Sequence, residues 1–176
     1  MKVYSCIFTG TEVFCDNNAE PELVEGVVFK MKSRFIEVGG EDFGLAANVD
    51  EDAEEGATAE AGADEKQKAL DMVNNNRLSK VDGYDKKAFM GVIKGYMKKI
   101  LDSLPDDDAK KAFQGGAASF VKRIVGNFDS VDLYCPPYND ELYGPEDTMM
   151  VIAEWEDGAE TPSFYFWKDG LKAEKV

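Results

Sequence analysis

The chain has 176 residues, of which 44% are hydrophobic, enough to bury one core, so a single domain over residues 1–176 is expected. Its formal net charge of −15 makes nucleic acid an improbable partner for the molecule as a whole. No run approaches the roughly 18 apolar residues of a membrane span, and the polar start lacks a signal-peptide core, so a cytoplasmic protein is expected.

The first forty residues have the patterns of β-structure. Residues 2–8 and 12–14 predict short strands separated by the turn Thr9-Gly10-Thr11. Farther on, Val27, Phe29 and Met31 alternate with less apolar neighbours, which predicts a strand with one apolar face that ends before Gly39-Gly40.

Residues 41–65 change composition abruptly, with ten Asp or Glu and no Lys or Arg. Such a segment buries too little apolar surface to offset its ordering entropy, so a mobile acidic loop is predicted. Acidic residues at every second position resemble a helix–loop–helix calcium site, but the register fails because its twelfth position, counted from Asp50, is Ala61. Weak calcium binding by clustered carboxylates stays open, with these candidate ligands: Asp50, Asp52, Glu54 and Glu55.

After a short amphipathic element over residues 67–78, residues 83–128 carry the most regular pattern of the chain. Apolar residues recur at spacings of three and four, which predicts two amphipathic helices. Pro105 followed by three aspartates is a typical start for the second helix, and the short turn predicts an antiparallel hairpin.

The predicted hairpin is basic within an acidic protein. It contains nine Lys or Arg against five Asp or Glu, a net charge of +4, so the rest of the chain carries −19. Charge polarisation of this kind acts on partner choice and encounter rate rather than on the fold.

Past Phe128 the chain returns to β-structure. Residues 133–135, 148–155 and 163–167 predict strands, with turns at Asp157-Gly158 and Asp169-Gly170. The middle strand shows one apolar face by alternation, whereas aromatic residues on both faces of the last one predict packing on two sides. Strands, a long loop, a helical hairpin and further strands together predict an α+β fold.

The sequence offers little catalytic chemistry. It has no histidine, which removes the usual acid–base group and every imidazole-based triad, and it contains no phosphate-binding glycine motif. Cys6, Cys15 and Cys135 have no metal-binding spacing. A non-enzymatic protein with no obligatory cofactor is expected.

Several ordered segments resemble the translationally controlled tumour protein family. Residues 156–162 and 166–175 resemble its carboxyl-terminal signature, and Ile93-Lys94-Gly95-Tyr96-Met97-Lys98 resembles its first hairpin helix. The opening, with Tyr4, Glu12, Phe14 and Asp16, is similar as well. The resemblance spans the whole chain.

Two departures from the family pattern affect its functions. In residues 46–52 the family's serine is replaced by Asp50 and its glutamate is shortened to Asp52, which puts functions of that serine in doubt. The chain ends in Val176 where the family often has cysteine, so a dimer through a terminal thiol is not expected.

The resemblance implies a tent-like, β-rich core, similar to the fold of a Rab-binding nucleotide-release protein, with a projecting helical hairpin and a mobile acidic loop. It implies calcium binding, tubulin or microtubule binding, and binding of elongation factor one alpha and its exchange subunit. A small GTPase of the Rheb type and anti-apoptotic Bcl-family proteins are further implied partners. The implied location is the cytoplasm, partly on the cytoskeleton.

Two candidate sites follow. By position, Glu12 matches a glutamate implicated in the family's GTPase contact. The hairpin corresponds to the segment implicated in microtubule binding, and there we expect four basic residues to act: Lys94, Lys98, Lys122 and Arg123. The alternatives left open are a simple calcium buffer acting through the acidic loop and a modulator of nucleotide exchange on a GTPase.

Overall fold

The computed structural model describes residues 1–17, 19–38 and 67–176, so the whole acidic stretch over residues 41–65, with its four candidate calcium ligands, lies outside the described residues. The described part contains eleven β-strands and three α-helices. The strands are β1 (Lys2–Cys6), β2 (Glu12–Cys15), β3 (Glu22–Val24), β4 (Val28–Lys32), β5 (Phe35–Val38), β6 (Gln67–Leu70), β7 (Ser79–Val81), β8 (Val131–Cys135), β9 (Val151–Glu154), β10 (Ser163–Trp167) and β11 (Leu171–Lys175). The helices are α1 (Asp71–Asn76), α2 (Lys86–Ser103) and α3 (Asp107–Gly126).

The strands form three sheets, and every strand pair is antiparallel. The largest has six strands in the order β3-β4-β10-β9-β8-β7, a second has the order β11-β1-β2, and β5 pairs with β6. The two long helices follow each other between β7 and β8, and all strand pairing is antiparallel, so the α+β prediction is confirmed.

Both helices of the hairpin begin where an aspartate can cap them. The Asp85 carboxylate accepts a hydrogen bond from the Ala88 amide at 2.8 Å, and the Asp106 carboxylate accepts one from the Ala109 amide at 2.7 Å. Each bond satisfies an amide that has no partner within its own helix. The predicted hairpin over residues 83–128 is confirmed, with α2 and α3 inside those limits.

Strand β10 is central because both of its faces are covered. Tyr165 and Trp167 face the hairpin, where Phe120 lies 5.0 Å from Tyr165 and 5.5 Å from Trp167 between ring centroids. On the opposite face Phe166 stacks on Phe14 of β2 at 4.4 Å. The core therefore extends from the hairpin through the six-stranded sheet to the three-stranded sheet, as the aromatic pattern of residues 163–167 predicted.

Two sequence predictions need correction. The alternation over residues 148–155 predicted one buried face, but all four residues of β9 are buried, including Glu154. Glu154 is buried because its carboxylate forms an ion pair with Arg123 of α3. The element over residues 67–78 is in fact a strand, β6, followed directly by the short helix α1.

The described helices do not have the length and hydropathy of a membrane span. Within residues 1–17, 19–38 and 67–176, no helix is both long and apolar enough to cross a membrane.

Candidate partner-binding surfaces

A shallow groove runs between the two hairpin helices on the side away from the sheet. Its apolar lining comes from Met97 and Leu101 of α2 and from Phe113 and Ala117 of α3. Its volume is about 230 Å³. The groove exists because antiparallel amphipathic helices leave a furrow between their side-chain ridges, and Ala117 is too small to fill it.

Two lysines of the candidate site line this groove, and a third lies one helical turn beyond it. Lys94 and Lys98 line it from α2, one helical turn apart. Lys122 follows the groove residue Ala118 by four positions on α3, which places it on the same helix face. All three lysines are exposed, and no carboxylate within the described ranges lies within 4.0 Å of them. The structure thus places two of the four predicted basic residues, Lys94 and Lys98, at an apolar furrow, with Lys122 one turn beyond it.

Arg123, the fourth, has a different environment. Its guanidinium Nη1 lies 2.7 and 2.9 Å from the two carboxylate oxygens of Glu154, which is only 2% exposed. Asn127 Nδ2 donates to the same carboxylate at 3.2 Å, and the Tyr165 hydroxyl donates to it at 3.1 Å. The guanidinium also lies 5.5 Å from the ring centroid of Phe120. Arg123 therefore joins the hairpin to the sheet and does not join the three exposed lysines.

The electrostatics of Arg123 fit this structural role. Burial alone lowers the pKa of Arg123, but hydrogen bonds with Glu154 and Tyr165 outweigh it, so the net shift is upward. A guanidinium is already charged at all ordinary pH values. The Arg123–Glu154 contact is thus an ion pair with three donors on one buried carboxylate, which satisfies the charge that burial would otherwise penalise.

A second hairpin cation is also engaged with the body of the protein. Lys99 Nζ donates to the Asp147 carboxylate and to the Glu146 carbonyl oxygen, both at 2.8 Å, and lies 5.9 Å from the ring centroid of Phe8. The hydrogen bond from Lys99 lowers the pKa of Asp147. Lys99 and Arg123 thus anchor α2 and α3 respectively.

Glu12 lies at a separate surface. It is exposed at the start of β2, an outer strand of the three-stranded sheet, and it lines a cleft of about 150 Å³. Asp71 and Met72 of α1 line the same cleft. A carboxylate at an open sheet edge next to a cleft can accept hydrogen bonds from a partner, which is the geometry a contact residue needs.

The sequence analysis did not single out Asp71, although it is 7% exposed and holds the cleft together. Its carboxylate accepts hydrogen bonds from the amides of Arg34 at 3.0 Å and Met72 at 2.7 Å, and its other oxygen lies 3.6 Å from the Arg34 guanidinium Nε. The sequence feature that could have indicated this role is an aspartate at the start of a helix, where its carboxylate can accept hydrogen bonds from amides that have no partner in the helix.

The calcium prediction cannot be placed on this surface. Asp50, Asp52, Glu54 and Glu55 lie outside the described residues. Within the part of the chain that the structure covers, no group of three or more Cys, Asp or Glu side chains is arranged to hold a metal ion.

Comparison with known proteins identifies the family. The profile described as "Translationally controlled tumour protein" matches residues 1–172. Proteins named translationally-controlled tumor protein homolog from Mycosarcoma maydis and Saccharomyces cerevisiae are 35% and 30% identical to this chain, with both chains covered completely.

Comparison with solved structures leads to the same family. The translationally controlled tumor-associated protein p23fyp of Schizosaccharomyces pombe matches with a TM-score of 0.73 at 30% identity, over 100% of both chains. The Caenorhabditis elegans protein, at 23% identity and a TM-score of 0.68 over 100% of this chain and 99% of its own, shows the same fold. The sequence resemblance is thus confirmed, and this chain belongs to the translationally controlled tumour protein family.

Proposed function

We propose that the chain is a non-enzymatic binding protein whose hairpin groove binds the acidic surface of tubulin in microtubules. One observation carries this proposal: Lys94 and Lys98 line an apolar furrow, with Lys122 one helical turn beyond it on α3, on a molecule that is otherwise strongly acidic. The two features contribute to the free energy of binding in different ways. The lysines attract an acidic surface, and the furrow supplies apolar area that a partner can bury.

The polarity of the molecule also limits the affinity. The lysines favour encounter with an acidic surface, while the charge of −19 outside the hairpin repels it and keeps binding reversible. Arg123 is excluded from the proposed contact because Glu154 already neutralises it. Attraction between exposed charges is screened over about 10 Å at 0.1 M salt, so the proposed binding should weaken steeply as salt rises.

Co-pelleting with assembled microtubules at low and high salt tests this proposal. The Lys94→Glu/Lys98→Glu double variant should lose at least about tenfold in affinity at low salt, because two attractive charges become repulsive. The matched control is Lys2→Glu/Lys175→Glu, which makes the same charge change on paired, exposed residues of β1 and β11. Pelleting that ignores both salt and the groove variant, or that falls equally in the control, would contradict the proposal.

The edge at Glu12 supports a second candidate function, the binding of elongation factor one alpha with its exchange subunit, or of a small GTPase of the Rheb type. The supporting observation is the exposed Glu12 carboxylate beside the cleft that Asp71 and Met72 line. If the edge at Glu12 bound the switch segments of the partner GTPase, it would change the rate of nucleotide exchange on that GTPase.

Titration with elongation factor one alpha in its GDP form distinguishes the two surfaces by amide NMR. Glu12→Val should abolish the perturbations around β2 and leave the spectrum of the free protein otherwise intact. Glu22→Val, on the exposed face of β3, is the control. Equal affinities of the wild type and the Glu12 variant would rule this function out.

A calcium buffer is the third proposal, and it is supported by the acidic composition of residues 41–65 alone. Deletion of residues 50–62 should remove calcium binding measured by titration calorimetry and leave the thermal unfolding midpoint nearly unchanged. Full retention of calcium binding by the deletion variant would exclude that segment as the source of the ligands.

A further inference from the structure

A second cavity lies on the other side of α2 from the groove. It is enclosed by α2, by β7 and β8, and by residues 136–150, and its volume is about 510 Å³. Neither the hairpin lysines nor Glu12 line it. Pockets of about 300–1,000 Å³ with apolar walls and a few polar groups are typical sites for small molecules.

The walls are aromatic and apolar. Tyr84, Tyr134 and Tyr138 line the cavity together with three prolines and two methionines. The faces of tyrosine rings carry the negative part of the ring quadrupole and attract organic cations. Rings and prolines also lose little conformational freedom when a ligand binds, because their torsions are few.

Two buried hydroxyls of the lining have no hydrogen-bond partner among the described residues. They belong to Tyr96 and Thr148, which are 3% and 4% exposed. A buried polar group without a partner costs free energy, and native structures satisfy most such groups with protein or ligand atoms or with water. Both oxygen atoms have almost no accessible surface, and the Tyr96 hydroxyl packs against Gly170, so neither is a donor that a ligand in the open cavity can reach.

The charged groups of the lining are all negative. Asp140 and Glu146 line the cavity and are exposed, and the lining contains no Lys or Arg. Two lysines near the lining are paired with other carboxylates, Lys80 with Asp132 and Lys99 with Asp147, although Lys99 also donates to the Glu146 carbonyl oxygen. Burial first, and then the charges of Cys135, Asp140 and Glu146, raise the pKa of the Tyr138 phenol, which is the sign expected in a negative field.

We propose that this cavity is a binding site for a small organic ammonium ligand with an apolar body. The aromatic walls bind the apolar body and the cation, and the carboxylates of Asp140 and Glu146 select positive charge. Anionic ligands are disfavoured because no lining residue compensates their charge. The inference is independent of the proposed function, since it uses none of the same residues.

The test uses two isosteric probes and the full chain. (4-Hydroxyphenyl)trimethylammonium and 4-tert-butylphenol have the same shape and hydroxyl, and differ in the charge of one atom. In amide NMR titrations the cation should perturb residues 134–150 and α2 and bind about fivefold more tightly than the neutral probe. Equal affinities would overturn the cation specificity, and the absence of perturbations from either probe would overturn the site.

Charge variants locate the source of that preference. Asp140→Asn/Glu146→Gln should weaken binding of the cation by about fivefold and leave 4-tert-butylphenol unchanged, so the neutral probe reports that the cavity remains folded. Asp157→Asn/Glu160→Gln, with the same charge change in an exposed turn, is the control. A preference that persists unchanged in the Asp140→Asn/Glu146→Gln variant would overturn the assignment of Asp140 and Glu146.

A quaternary ammonium also occurs in the headgroup of phosphatidylcholine, so a separate arm adds vesicles of that lipid to the complex with the cationic probe. A soluble ligand site predicts that the vesicles leave the bound probe in place. Displacement of the probe by the vesicles would overturn the assignment to a small soluble ligand.

Discussion

Five basic residues of the hairpin form two groups that look alike in the sequence and differ completely in environment. Arg123 and Lys99 face the body of the protein and are paired with Glu154 and Asp147 at 2.7 and 2.8 Å. Lys94 and Lys98 face solvent at the groove, and Lys122 faces solvent one helical turn beyond it. The number of cations therefore overstates the basic surface of the hairpin, because two of them are neutralised by ion pairs with the body of the protein.

The difference between adjacent residues is the clearest case. Lys122 and Arg123 are neighbours in the sequence, yet a step of about 100° around a helix turns one toward solvent and the other toward the sheet. An arginine suits the inner position because its guanidinium stacks on Phe120 and Tyr165 while it binds a carboxylate. A lysine suits the outer position, where a mobile, hydrated charge attracts partners without a fixed geometry.

Replacement of the two neighbours should give the largest contrast. Arg123→Met leaves the Glu154 carboxylate buried without its cation and should lower the free energy of unfolding by about 3 kcal/mol, the low end of the range for breaking a buried pair because Arg123 is itself partly exposed. Lys122→Met should change it by less than about 0.5 kcal/mol. Urea unfolding followed by circular dichroism measures both, and similar values would mean that Arg123 is no anchor.

Two neighbouring glycines of α3 test the inner face of the hairpin through packing. A Cβ at Gly116 would meet the Glu25 carbonyl oxygen and lie 2.7 Å from Val27 Cγ1, whereas a Cβ at Gly115 would meet nothing within 4 Å. Gly116→Ala should therefore cost about 2 kcal/mol through overpacking. Gly115→Ala should instead stabilise the protein by about 1 kcal/mol through helix propensity. If Gly116→Ala stabilised the protein instead, the turn at Glu25 would have to shift at little cost to make room for the added methyl group.

The smallest expected effect concerns pH and the Lys99 anchor. Because the folded pKa of Asp147 lies below the ordinary value of 3.8, its charged form stabilises the folded state above that value, and this contribution is lost as the pH falls through the folded pKa. The difference in unfolding free energy between the wild type and Asp147→Asn should shrink in acid. Urea unfolding over about pH 2.5 to 6 measures it, and the same series in a Lys99→Met background should show little such dependence.

Local patterns predicted the elements whose stability is mainly local. The hairpin was predicted within three residues of its outer ends because its apolar period persists over many turns and its aspartates mark the helix starts. Strand β10 was predicted with its exact limits because aromatic residues at consecutive positions are typical of a strand covered on both faces.

Other elements depend on contacts that are remote in the sequence. Strand β11 is exposed in four of its five residues, with only Leu171 half-buried, and it exists because all five of its residues pair with β1. Glu154 fits a solvent-facing position of an alternating strand, but Arg123, 31 positions earlier, brings it into the core. The tubulin, GTPase and calcium sites stay predictions, since their evidence is the family resemblance together with a surface or a composition.

The position of Trp167 has a consequence for spectroscopy. It is fully buried between the hairpin and the sheet, with the rings of Tyr96, Phe113 and Phe120 within 6.3 Å of its ring by centroid distance. The other tryptophan, Trp155, is half-buried and donates its indole N–H to Asp132 at 3.1 Å. Separation of the hairpin from the sheet would hydrate the first indole and shift its fluorescence emission to longer wavelength. A Trp155→Phe variant thus makes hairpin docking visible through the emission of a single tryptophan.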